Sequence, residues 1–349
     1  MYRTRFEAIG SYTPAEEVST EELIDRLEIP RNLDLAAITG IQSRRVYNAD
    51  PADYESSFAL ATNAIADCLE RSDYTAAELD IVISVSITRT TAPGLFAFEP
   101  SFSLMLRNSI GAFAAKNFDI SNACAGMVTG IMVLDRLIRA GVVKNGIVVS
   151  GEQITPIAET AVREIREPYD PQFAALTVGD AAVAVILDGR GDERDAIHYV
   201  QVMTASAAAE HCIGMPSDRS NGMAMYTDNR AMQNESRYMQ GIVRMKAFLD
   251  ETHRTWDSEN YDFWIHHQFS APAIEYITHL TAAHFGTTMP EALNVLEDYG
   301  NTASTSHFLV LHEHLKNQKI PKGSKILMIP SASGMVYGFL AATVSRLGA

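Results

Sequence analysis

The sequence predicts an α/β protein made of two fused halves. Three observations carry that prediction. Short, β-branched apolar runs alternate with segments whose apolar residues recur at helical spacing. The alternation continues in the same style through both ends of the chain. The 349 residues also exceed the ~100–200 typical of one domain. Two sheets, divided near Arg190 into residues 1–190 and 191–349, fit better than one sheet of about 12 strands.

The elements follow in order. Glu55 to Arg71 carries Phe58, Leu60, Ala61, Ala64, Ile65, Cys68 and Leu69 at helical spacing, which puts Cys68 on an apolar helix face. Leu79 to Ser86 is a buried strand, Phe118 to Ser121 a short one, and Ala125 to Ala140 a helix with Met127, Ile131, Leu134 and Leu137 inward. Gly146 to Ser150 and Thr177 to Leu187 are the next strands, the former closed by Gly151-Glu152. In the second half, Ala196 to Ala205 alternates as a strand, Tyr238 to Asp250 is helical, and Phe263 to His266 is a strand entering a turn. Helices over Ala271 to Phe285 and Thr302 to Lys316 precede strands at Lys325 to Pro330 and Gly338 to Val344. Strands alternating with helices imply mostly parallel sheets covered on both faces.

Composition narrows the function classes. Against 43 acidic side chains stand 28 basic ones, a net charge of −15, and such a surface repels nucleic-acid phosphates and anionic lipid. No apolar run approaches the ~20 residues of a membrane span, and the first residues lead into no signal-peptide core, so a cytoplasmic location is expected. Three cysteines, Cys68, Cys124 and Cys212, make neither a disulfide framework nor a zinc cluster.

Three loops carry chemistry. In Asn122-Ala123-Cys124-Ala125-Gly126 a cysteine follows a strand and opens a helix, where free N–H groups and the dipole stabilise a thiolate and can hold an oxyanion. The alternative is a buried structural cysteine. In Ile265-His266-His267-Gln268 a strand delivers paired histidines into a turn, and in Gly300-Asn301-Thr302 a glycine precedes an asparagine at a helix start. Singly, each reads as a satisfied hydrogen-bonding residue or an N-cap. Together, a thiol nucleophile, a neutral imidazole and an amide donor are the groups needed to accept an acyl chain and stabilise a thioester enolate.

These three loops, with Ile9-Gly10-Ser11-Tyr12-Thr13-Pro14, Thr39-Gly40-Ile41-Gln42-Ser43-Arg44-Arg45, Val178-Gly179-Asp180 and the closing Pro330 to Gly338, resemble in order and spacing the β-ketoacyl-ACP synthase III family of the thiolase superfamily. The resemblance implies a five-layered α-β-α-β-α fold of two similar halves and a homodimer. It makes Cys124 the acyl acceptor, sets His267 and Asn301 at the second thioester, and gives the oxyanion hole to the backbone N–H of Cys124 and of Ser333. CoA or acyl-carrier-protein thioesters are the implied substrates, with no permanently bound cofactor and no metal.

Two departures stand out. Where family members that use acetyl-CoA carry a tryptophan and an arginine against the adenine, this chain has Asp34 and Ile38. Glu99, 25 positions before Cys124 in the setting Phe98-Glu99-Pro100-Ser101, replaces an apolar residue. It resembles the long-chain head-to-head condensing branch of olefin, pyrone and resorcinol synthesis, where a partner's glutamate removes an α-proton. The alternative is an exposed acid near a helix start. Decarboxylative and non-decarboxylative condensation therefore stay open, with acyl transfer to oxygen or nitrogen and a non-catalytic acyl-binding subunit as further alternatives. Among weaker features, methionines from Met203 to Met245 suit core filling or an acyl wall. His307, His312 and His314 suit a solvated helix face rather than a metal site. Arg139, Lys144, Arg163 and Arg166 read as scattered cations rather than a carrier-docking patch. Cys212 has no assigned role.

Overall fold

The apolar runs assemble into two mixed sheets, one from each half, in a computed structural model that describes residues 3–28, 34–167 and 169–348. The first sheet holds β1 (Arg5–Tyr12), β2 (Ile81–Ser84), β3 (Lys116–Asp119), β4 (Asn145–Glu152) and β5 (Ala181–Asp188) in the order β1-β5-β4-β2-β3. The second holds β6 (Ala196–Thr204), β7 (Phe263–His266), β8 (Glu291–Ala292), β9 (Ser324–Ile329) and β10 (Val336–Val344) in the order β6-β10-β9-β7-β8, with the short Ser331–Ala332 strand added on β10. The two orders are the same permutation.

The expectation of mostly parallel sheets is corrected. In each sheet the last strand inserts beside the first and runs antiparallel to both its neighbours, while the other two pairings are parallel. An apolar strand buried on both faces looks the same whichever way it runs, so direction leaves no trace in composition.

Six helices complete the layers. α1 (Ser57–Glu70) and α2 (Phe102–Ser109) cover the outer face of the first sheet, where Leu60, Ile65, Cys68, Phe102 and Leu106 meet Ile147 and Val149. α4 (Glu235–Glu251) and α5 (Ala271–Phe285) lie outside the second sheet, over Trp264, Leu327 and Phe339. Between the sheets run α3 (Gly126–Arg139) and α6 (Ser306–Lys316). Their Ile131, Leu134, Phe308 and Leu311 share one core with Val148, Val185, Ile326 and Leu340. Along β4, Val148 thus faces inward and its neighbours outward, the period of two that a strand imposes. The result is a five-layered α-β-α-β-α sandwich.

Both central helices start without a side-chain cap, each after a single 3₁₀ turn, Ala123–Ala125 and Ala303–Thr305. Their first N–H groups are thereby left for something other than a capping side chain. In both turns the first alanine takes a left-handed backbone, φ 45° at Ala123 and 54° at Ala303. A left-handed non-glycine residue is a strained feature that clusters at functional sites.

Candidate active site

Cys124 sits in the first of these turns, half-buried between two small apolar clusters. On one side are Ile154, Ala158, Val178 and Ala303, and on the other Ala332, Val336 and Val202. Its turn packs against both the Ala303–Thr305 turn and the Ser331–Ala332 strand. The closing loop then bends through Gly334 and Met335, both left-handed, at φ 74° and 56°. Ser333 lies just before that bend, and the backbone N–H groups of Cys124 and Ser333 both favour the Cys124 thiolate. Backbone donors beside a thiol are what an oxyanion hole requires.

The charge state of the thiol differs from the expectation. Burial pushes the Cys124 thiol above the ordinary cysteine range, Cys212 and Glu152 add to the shift, and the two N–H contacts oppose it without reversing it. Desolvation of the thiolate outweighs the helix terminus here.

His267 follows β7 and is 6 % exposed, so it sits inside the protein rather than on its surface. Its backbone N–H donates to the Ile329 carbonyl at 3.2 Å, tying it to the strand that leads into the closing loop. Its ring stacks on Phe269 and on His307, at centroid distances of 6.1 and 5.7 Å. Burial, with His307 and Arg237 nearby, holds its pKa well below the usual 6.5, so the imidazole is neutral. Gln268 stiffens the turn, donating to the His266 carbonyl at 2.8 Å and accepting from the Val295 N–H at 3.1 Å.

Asn301 is fixed by its backbone. Its N–H donates to the Thr177 carbonyl at 2.9 Å, and its carbonyl accepts from the Gly179 N–H at 3.1 Å. Gly300 precedes it at φ 63°, ψ −156°, a region only glycine occupies readily. The Ala303 N–H donates to Asn301 Oδ1 at 3.0 Å. That donor orients the amide by its Oδ1, which leaves Nδ2 as the donor on its other side. The turns of Cys124 and Asn301 thus pack together, and His267 is tied by its backbone to Ile329, just before the closing loop.

Glu99 is exposed, two residues before Ser101, the N-cap of α2. Just before it in the chain stand exposed apolar side chains: Phe98 at 82 %, Leu95 at 61 % and Phe96 at 47 %. Asp34 caps the short helix Leu35–Thr39 by accepting from the Ala37 N–H, and Ile38 is exposed.

Several residues gain importance only in three dimensions. Glu152 is fully buried at the end of β4 and accepts from Ile87 and Thr88 N–H and from the hydroxyls of Thr88, Ser150 and Ser304. Burial raises its pKa. Cys212 accepts from the Ser333 hydroxyl at 3.0 Å, a link between hairpin and closing loop that no spacing announces. Arg237, buried on α4, donates to Ser331 Oγ at 3.2 Å. Met203 and Met239, with Val243 and Tyr337, line an open groove of about 520 Å³, while Met245 is core. The solvated face expected for the three histidines is corrected: His307 and His312 are buried because α6 is a central helix. No group of three metal-ligating side chains occurs among the described residues. Arg139 is tied to Asp135 and Arg166 to Glu28.

Comparison with known proteins adds an independent view. Residues 118–206 match the 3-oxoacyl-[acyl-carrier-protein] synthase III family, and residues 252–344 match its C-terminal region. Together the two matches span just over half of the chain. A β-ketoacyl-[acyl-carrier-protein] synthase III of Xanthomonas campestris is 25 % identical over 344 residues, covering 96 % of each chain. That of Clostridium novyi is 24 % identical, covering 97 % of this chain and 98 % of its own. In fold, the chain is similar to a variant of Xanthomonas campestris OleA with bound lauric acid and lauroyl-CoA, at a TM-score of 0.82 and 21 % identity over 98 % of this chain and 99 % of that one. It is also similar to the 3-oxoacyl-[acyl-carrier-protein] synthase III of Aquifex aeolicus, at a TM-score of 0.80 and 20 % identity over 97 % and 99 %.

Proposed function

The chain belongs to the 3-oxoacyl-[acyl-carrier-protein] synthase III family, and on that premise we propose that it joins two acyl thioesters by Claisen condensation through acyl-Cys124. The observation that carries the reading is the packing of the Cys124 turn against both the Ala303–Thr305 turn that follows Asn301 and the Ser331–Ala332 strand that leads to Ser333.

The sulfur attacks the first thioester carbonyl, the new S–C bond replaces the old one, and the thiol proton leaves with the departing CoA or carrier thiol. The second thioester binds with its carbonyl oxygen toward His267 and Asn301. Neutral imidazole and amide Nδ2 donate to that oxygen as the α-carbon becomes an enolate. The α-carbon then attacks acyl-Cys124, the resulting oxyanion sits against the two backbone donors, and collapse expels the cysteine and leaves a 3-oxoacyl thioester. These steps ask for no resident metal or redox group. The site works on CoA or acyl-carrier-protein thioesters in the cytoplasm; among the described residues no helix is long and apolar enough to cross a membrane.

Glu99 enters through a homodimer. The exposed Leu95, Phe96 and Phe98 are apolar side chains of the kind that a partner covers, and the glutamate next to Phe98 then reaches the site of the other protomer. There it serves as the base that removes the α-proton from a second acyl chain, desolvated by the surrounding acyl groups. The OleA structure with lauric acid and lauroyl-CoA is in keeping with medium- or long-chain substrates.

Intact-mass analysis with lauroyl-CoA, followed by product extraction, tests this. The protein gains one acyl group, and Cys124→Ala takes up none. A 3-oxo product forms without malonyl-CoA and is lost in Glu99→Gln, which still acylates. Condensation that waits for malonyl-CoA instead assigns the decarboxylative route and removes Glu99 from the chemistry. No acylation at all overturns the enzyme reading.

A further inference from the structure

Glu152 ends β4 as a fully buried acid, and none of the ion pairs among the described residues includes it. Asp188 and Asp135, buried as completely, have Arg5 at 2.9 Å and Arg139 at 2.6 Å. Glu152 is held by five donors instead. Oε1 accepts from the Ile87 N–H and the Ser150 hydroxyl, both at 2.9 Å, and from the Ser304 hydroxyl. Oε2 accepts from the Thr88 N–H at 3.1 Å and the Thr88 hydroxyl at 2.9 Å. A backbone N–H can only donate, and one meets each oxygen, so both oxygens must accept. A carboxyl group meets that demand, whereas a carboxamide would set its NH2 against one of the two N–H groups.

Burying an acid without a cation costs stability, so what this one holds in place matters. Asp180 is a second such acid, but its donors, from Tyr47, Ile154 and Thr155, all belong to the first half of the chain. Glu152 reaches across to the second half through Ser304. That serine is fully buried, and its hydroxyl also meets Ser150 Oγ at 2.6 Å. A methyl on Gly126 would stand 3.5 Å from the Ser304 Cβ, so the serine is wedged between the end of β4 and the start of α3, two residues past Cys124. Immediately before it comes Ala303, left-handed at φ 54°, whose N–H donates to Asn301 Oδ1 at 3.0 Å. A left-handed alanine persists only where its neighbours hold it. Upstream, the Asn301 backbone is tied to Thr177 and Gly179. Downstream, the Ser304 hydroxyl ties the same turn to the first sheet.

We propose that Glu152 is a positioning residue for condensation: through Ser304 it fixes the turn whose Ala303 N–H orients the Asn301 amide. This rests on the condensation reading above and adds to it a residue that acts through another. The first acylation, carried by Cys124, does not call on that amide.

The test compares the full chain with Glu152→Gln, Ser304→Ala, the double variant and Ser150→Ala. Acyl-Cys124 formation is timed by intact mass with lauroyl-CoA. Release of 3-oxo product is then timed with the second thioester that the wild type uses, malonyl-CoA or lauroyl-CoA. A wild type that fails to acylate or to condense overturns the condensation reading, and this proposal with it. Glu152→Gln and Ser304→Ala are each expected to slow condensation about tenfold while acylation stays within about threefold. The loss falls on kcat rather than on KM for the second thioester, as for a donor that engages the enolate. The double variant is no slower than either single one, because both remove the same link. Ser150→Ala takes an equally buried hydroxyl from the same oxygen but leaves the Ser304 bond, and it condenses at the wild-type rate. Should Glu152→Gln not fold, Ser304→Ala against Ser150→Ala decides. Unchanged condensation in Ser304→Ala, equal slowing of both steps, losses that multiply in the double variant, or a matching loss in Ser150→Ala each overturns the proposal.

Discussion

At the scale of single residues the site is a set of groups whose surroundings decide their behaviour. Cys124 was legible as a candidate nucleophile from its small neighbours and its place before a helix, but its protonation was not. Burial among Ile154, Val178, Ala303 and Ala332 keeps the thiol protonated at neutral pH, and such packing is invisible along the chain. Iodoacetamide labelling of Cys124, followed by mass, should therefore be slow at pH 7. It should quicken roughly tenfold per pH unit between 7 and 9, as the thiolate fraction grows. A rate flat above pH 7 would show a thiolate already formed. Arg237 escaped notice for the opposite reason, since an arginine on an amphipathic helix reads as solvated until its partners are counted. Ser333 was legible only through family resemblance, because a backbone donor leaves no side-chain signal.

At the scale of elements, helices and strands followed from periodicity to within a few residues. The predicted helix over Ala271 to Phe285 is the observed one, and the Phe263 to His266 strand ends where expected. The turns that aim the functional groups are set by backbone geometry. Gly300 is the clearest case: a methyl there would stand 2.7 Å from the Thr177 carbonyl oxygen, at a φ/ψ pair that side chains avoid. Gly300→Ala should cost about 1–3 kcal/mol of stability by urea unfolding. It should also slow condensation more than acylation, because it displaces Asn301 and leaves Cys124 in place. Equal slowing of both steps would mean that the two packed turns move as one piece.

For the whole molecule, the two sheets were foreseeable from alternation and chain length and the five layers from the family resemblance, whereas strand direction was not. Nor was the dryness of the centre, where α6 carries His307 and His312 into the core. Burial holds His266 at about 3 and His307 at about 4, against an ordinary 6.5. The unfolded chain takes up these protons below 6.5 while the folded chain does not. Their burial is therefore without effect above pH 7 and removes stability as the pH falls from about 6.5 toward 4. At pH 5 the loss is on the order of 2 kcal/mol per histidine. The urea midpoint should drop between pH 7.5 and 5, and His307→Gln should blunt that drop; an unchanged midpoint contradicts the burial argument. The insertion of the last strand into each sheet has a further consequence during synthesis. The first half can close once β5 has left the ribosome, with Cys124 already in its turn. Its second donor arrives only when residues 331–344 emerge and β10 slides between β6 and β9. The proposed nucleophile is therefore in place before the strand that positions its second donor is made.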